Sequence, residues 1–120
     1  MNELLALSAV DLRRGIGTKE ISPVELLEAA IERIEALNPA VNAIAATDFE
    51  RARKLAVEAE TDARNGEQLG PLHGLPTGIK DLHETAGLLT TYGSPLYRNH
   101  VPAQDAAMVA LVRKAGAIIV

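Results

Sequence analysis

Apolar positions along this chain fall first into helical stripes and then, beyond Gly70, into short extended runs. Ser8 is placed to cap a short helix that runs to Gly15 or Gly17. Ser22-Pro23-Val24-Glu25 has the form of a capping box with proline at the first helical position. The helix it opens carries Val24, Leu27, Ile31 and Ile34 on one face, widened by Leu26, Ala30 and Leu37. Asn38-Pro39 is the predicted stop. Val41 to Ala46 reads as a short irregular link, and Thr47-x-x-Glu50 as a second capping box. A charged helix should follow to about Asn65, with Gly66 ending it. Its apolar face is thin (Phe49, Ala52, Leu55, Ala56, Ala59, Ala63), which suits a helix at the surface.

The pattern changes at Gly70. Gly70-Pro71 and Gly74-Leu75-Pro76 read as turns, and Thr77 to Lys80 as a strand. A loop rich in Thr, Gly and Pro runs from His83 to about Pro102. Gln104 or Asp105 is expected to cap a helix ending at Ala115, with Gly116 as its stop. From Ala106 to Val112 that helix is apolar on every side and predicts burial all round. Ala117 to Val120 is a continuous apolar run of the kind buried in a parallel sheet. Strand, crossover helix and strand make a βαβ unit preceded by stacked helices, hence an α/β fold. The final apolar strand and the apolar helix need more cover than one such unit supplies, so the sequence is expected to be the N-terminal part, 1–120, of a larger single domain. Within it, 1–69 is mainly helical and 70–120 is strand-loop-helix-strand.

Composition narrows the function classes. The chain has 120 residues and a net charge of −4 with both signs mixed, which argues against direct nucleic-acid binding. With no cysteine, disulfides and thiolate metal sites are excluded. The start, MNELLALSAV, lacks the basic region of a signal peptide. No apolar stretch approaches the roughly 18 residues of a membrane span. A cytoplasmic protein without membrane contact is the default expectation.

Lys80 is the residue of most chemical interest. A lysine acts as a general base only when neutral, so its ordinary pKa of about 10.4 must fall, as burial can arrange. The C-terminal end of a buried strand is where reacting groups gather in α/β sheets, and Ser–Lys pairs are an established form of nucleophilic catalysis. The plainer reading is a surface lysine paired with Asp81 or another nearby acid. A phosphate loop is a poor fit to Gly74–Lys80, which has no glycine directly before the lysine and no Ser or Thr directly after it. His73 and His83 do not form a metal pattern, although Asp81 and His83 would share a face of a continued strand. Ser94, in Gly93-Ser94-Pro95, reads as a turn former.

The segment GPLHGLPTGIKDLHETAGLLTTYGSP, followed by PAQDAAMVALVRKAGAIIV, resembles the first part of the amidase signature family. Ser22-Pro23-Val24-Glu25-Leu26 is similar to the usual opening of such proteins. The resemblance implies an α/β/α sandwich around a mixed sheet, of which these residues form the N-terminal helices and first βαβ part. It implies that Lys80 is the catalytic lysine of a Ser-cisSer-Lys hydrolase acting on a small-molecule amide, with no metal or organic cofactor. It also implies that both serines, with the oxyanion-hole backbone, lie beyond Val120, so that the 120 residues alone are inactive. Many relatives follow the lysine and aspartate with asparagine, whereas Leu82 and His83 stand here. That departure favours a stand-alone amidase over the amidase-like component of a glutamine-dependent tRNA amidotransferase. A non-catalytic, truncated scaffold protein is the third alternative, and a homodimer of the parent protein is left open.

Overall fold

A computed structural model describes residues 2–120. Helix α1 spans Ala9–Gly17, α2 Pro23–Val41, α3 Phe49–Arg64 and α4 Ala107–Lys114, with strands β1 (Pro76–Thr77) and β2 (Ile118–Ile119) on either side of α4 in sequence. The strands pair in parallel, Pro76 opposite Ile118 and Thr77 opposite Ile119. This is the expected βαβ unit, and the fold is α/β.

Local chemistry sets most helix starts. Ser8 Oγ accepts from the Asp11 N–H at 3.1 Å, and Ser22 Oγ accepts from the Glu25 N–H at 3.2 Å, satisfying amides that a helix cannot pair internally. Ser22 also donates to Glu60 Oε1 at 2.5 Å, joining the start of α2 to α3. Two expected caps fall elsewhere. Asp48, not Thr47, caps α3, its carboxylate accepting from the Arg51 N–H at 3.1 Å; an ionised acceptor at a helix N-terminus is the stronger choice. Asp105 does not cap α4, which starts after Ala106 with no side-chain cap. Its carboxylate instead accepts from the Ala86 N–H at 2.7 Å and from Arg113 Nε at 2.9 Å.

Helix α2 runs past Pro39 to Val41 rather than stopping there. A proline in the last turn removes only one late hydrogen bond. The Asn42 N–H closes the end on Asn38 O at 2.7 Å, with Asn42 left-handed at φ 52°. The Asn38 side chain then clamps the following link from both sides, donating to Ile44 O at 2.9 Å and accepting from Ile44 N–H at 2.8 Å.

The core has two parts. Leu27 and Ile31 of α2 meet Ala52, Ala56 and Ala59 of α3, with Ile118 and Val120 beneath them. Ile16, Leu26, Ala63 and Leu75 form the second part, under Leu4, Leu5 and Leu12. The small residues of α3 are thus buried and let α2 approach closely, so the thin stripe is a packing face and only the opposite side is solvated. These 120 residues cover helix α4 on one side. Val109 is fully buried, while Met108 and Leu111 are 41% and 67% exposed, because only one side of the helix meets packed residues.

The sheet entrance is built on backbone contact. Leu72 N–H donates to Ala115 O at 2.9 Å and Gly74 N–H to Gly116 O at 2.9 Å, before Ile118 N–H reaches Leu75 O at 2.9 Å. Gly116 has φ +97°, and a Cβ there would lie 2.7 Å from His73 Cα. His73 is itself buried, with Nε2 2.9 Å from Ala59 O, a structural role.

Candidate active site

The strand expected over Thr77–Lys80 ends at Thr77. Its last rung is Val120 N–H to Thr77 O at 3.2 Å, made by the final residue of the sequence. Lys80 sits three residues past Thr77, outside the assigned helices and strands. A tight turn follows at once, with Leu82 N–H and His83 N–H both donating to Lys80 O, at 2.7 and 3.1 Å.

Lys80 lies on the wall of a cleft of about 270 Å³. One side of the cleft is the Ala43–Ala46 link that Asn38 fixes; the other is Leu88, Leu89 and Thr90 of the long loop. Ile79, Asp81, His83 and Val120 complete it. The lining is mainly aliphatic, with Lys80, Asp81 and His83 as its ionisable groups. The Lys80 side chain is exposed to solvent.

Asp81 does not serve as the partner of Lys80. Its Oδ1 accepts from the Thr91 N–H at 2.7 Å, and its Oδ2 accepts from the Thr91 hydroxyl. The hydroxyl hydrogen bond, helped by backbone amides of Thr91, Gly93 and Tyr92 and opposed by burial, holds the Asp81 carboxyl below the usual range. Asp81 and His83 both face the cleft, and no further metal-ligating residue joins them: among the described residues no group of three or more His, Cys, Asp or Glu side chains is placed to hold a metal ion.

The loop from His83 to Pro102 is more ordered than its composition suggests. Its two arms are joined by Gly87 N–H to Pro102 O at 3.0 Å and Thr90 N–H to His100 O at 2.9 Å. Its base is fixed to α4 through Asp105 and Arg113, whose side chains are 16% and 19% exposed. Arg51 of α3 adds a hydrogen bond to Ala86 O at 2.9 Å. Near the tip, Tyr92 stacks on His100 with ring centres 5.9 Å apart and meets Tyr97 edge-on at 4.9 Å. The Tyr92 hydroxyl donates to Glu84 at 2.8 Å, which lowers the Glu84 pKa and raises that of Tyr92. Ser94 is a turn former here: it caps the 3-10 turn Pro95–Tyr97, accepting from the Leu96 N–H at 3.3 Å.

Sequence reasoning missed two residues that shape this site. Thr91, ten positions from Asp81, has no periodic signal that would reveal the pairing. Asn38 bonds the backbone of Ile44, six positions on, and its sequence setting beside Pro39 signals only a helix end.

A profile of the Amidase family matches residues 25–120. A Glutamyl-tRNA(Gln) amidotransferase subunit of Carboxydothermus hydrogenoformans is 40% identical over 116 residues, 97% of this chain and 24% of that protein. An acylamidase of Rhodococcus erythropolis is 38% identical over 112 residues, 93% of this chain and 24% of that protein. The crystal structure of native peptide amidase from Stenotrophomonas maltophilia aligns with a TM-score of 0.90 at 30% identity, covering 98% of this chain and 24% of that one. The chain thus spans about 24% of the length of the curated relatives it matches.

Proposed function

This chain belongs to the amidase family, and from that premise we propose that it forms the N-terminal part of an enzyme hydrolysing a carboxamide, with Lys80 as the general base. The observation that carries the reading is the position of Lys80: on a cleft wall just past the C-terminal end of a parallel strand, with a tight turn directly after it. Reacting groups in α/β proteins gather at that end of the sheet.

In this reading neutral Lys80 accepts a proton from a cis-serine, which takes one from the nucleophilic serine as it attacks the amide carbonyl. The tetrahedral adduct expels ammonia or an amine, which leaves with a proton, and water then releases the acid from the acyl-enzyme. Both serines and the oxyanion hole come from residues outside this chain, so the 120 residues alone are inactive. Lys80 stands on the open wall of the cleft in this chain. The aliphatic lining suits a small amide with an apolar acyl or amine portion.

A second reading is favoured by one observation, the 40% identity to a component of a tRNA amidotransferase. In it the same lysine serves the release of ammonia for a tRNA-linked product within a multi-protein complex. Against it stands Leu82-His83 after Lys80-Asp81. The test uses the purified protein that carries this chain, assayed alone for ammonia release from simple carboxamides and then for glutamine-dependent transamidation with added partner proteins. Hydrolysis by the lone protein supports the first reading. Activity only with partners and tRNA supports the second, and no amide hydrolysis under either condition refutes both.

A further inference from the structure

Asp81 is adjacent to the proposed base, lines the same cleft, and yet is fully engaged elsewhere. Both carboxylate oxygens accept from one residue, Thr91, through its backbone N–H at 2.7 Å and through its hydroxyl. Thr91 Oγ1 in turn accepts from the Gly93 N–H at 3.2 Å, and the Ser94 N–H reaches Thr91 O at 2.9 Å. The neighbouring Tyr92 is left-handed, at φ 54°. A β-branched residue and a sharp turn are therefore held in one geometry facing Asp81. On the other side of Asp81, Lys80 O accepts from the Leu82 and His83 N–H groups at 2.7 and 3.1 Å, so Asp81 is held between that turn and Thr91.

We propose that the Asp81–Thr91 pair is a clamp that positions Lys80 by fastening the coil after β1 to the long loop. Asp81 is then a positioning residue: it neither transfers a proton nor touches substrate. The inference rests on Lys80 being the general base. The physical reason is that a residue's backbone angles are free until a contact fixes them, while a misplacement of about 1 Å at a reacting group can cost on the order of 100-fold in rate. Two charge-assisted hydrogen bonds to one neighbour remove that freedom at the residue next to the base. The depressed Asp81 pKa accords with a carboxylate that stays ionised and bound through the working pH range.

The test measures kcat and KM for carboxamide hydrolysis, together with thermal melting, for five variants of the protein that carries this chain. Lys80→Ala establishes whether the lysine is needed at all. Full activity in that variant removes the underlying reading, independently of the clamp. With Lys80 required, Thr91→Val, which keeps shape and backbone N–H but loses the hydroxyl, is expected to lower kcat about 10-fold or more with KM within about 2-fold. Thr91→Ser is expected to restore most of it. Wild-type kcat in Thr91→Val overturns the clamp, as does a loss that follows the melting temperature and is not rescued by serine. If Thr91→Val fails to fold, Asp81→Asn and Asp81→Ala decide. Asparagine still accepts the Thr91 N–H and pairs with the hydroxyl, so it should retain far more activity than alanine. Equal loss in both would assign the effect to the Asp81 charge and refute a positioning role.

Discussion

Replacing Gly116 by alanine tests how the sheet that carries Lys80 is assembled. Gly116 has φ +97°, a conformation that costs an L-residue about 1–2 kcal/mol. Its added Cβ would also lie 2.7 Å from His73 Cα and 3.1 Å from His73 N, where relaxed carbon contacts lie at about 3.5–4 Å. His73 cannot give way easily, since it is buried on Ala59 O and its turn is bonded to Ala115 and Gly116. Overpacking of a fixed contact adds about 1–3 kcal/mol, for about 2–5 kcal/mol in all, a large part of a typical stability of about 5–15 kcal/mol. Gly66 is the internal control: φ is +71° and nothing lies within 4 Å of an added Cβ, so alanine there meets only the conformational cost of about 1–2 kcal/mol. Urea unfolding followed by circular dichroism should show a midpoint that falls further for Gly116→Ala than for Gly66→Ala at unchanged slope. Equal shifts would refute the claim that close approach to His73 fixes the sheet entrance.

Three further outcomes follow from the packing and the charges. Ala56 is fully buried between α3 and α2, so Ala56→Leu should cost about 1–3 kcal/mol in urea unfolding, and a neutral result would mean the helices are not in close contact. Asp105→Ala strands the Ala86 N–H and half-buried Arg113 and should cost about 1–3 kcal/mol, whereas Lys54→Ala, which breaks an exposed pair with Glu50, should change stability by less than about 0.5 kcal/mol; similar losses would count against the distinction. The folded-state Asp81 pKa is depressed, chiefly by the Thr91 hydroxyl, so its contribution to stability is present above the unfolded value of about 3.9 and is lost as pH falls through the folded value. The stability gap between wild type and Thr91→Val should therefore shrink below about pH 4, and a gap independent of pH would contradict the carboxylate's role.

What was legible in the sequence was chemistry local to a few residues. Ser8 and Ser22 cap their helices through amides three positions on, so their signal and their partner lie within one turn. The parallel strand at Ile118–Ile119 was legible because burial on both faces leaves a continuous apolar run. What was not legible depends on partners distant in sequence. Asp105 looks like a cap until its carboxylate is taken by Ala86, nineteen residues earlier, and by Arg113. Asp81 looks like the natural partner of Lys80 until Thr91 occupies both of its oxygens. Lys80 alone is indistinguishable from a surface charge, and its proposed role rests on neighbouring blocks of sequence read together.

The central claim is that Lys80 is the base for amide hydrolysis, and the most direct measurement is kcat/KM of Lys80→Ala on a simple carboxamide, in the protein that carries this chain. Loss of a general base predicts a fall of about 100- to 10,000-fold. A folded Lys80→Ala enzyme that hydrolyses the amide at a rate within about 3-fold of wild type would contradict it, because that lies far below what a positioned base supplies.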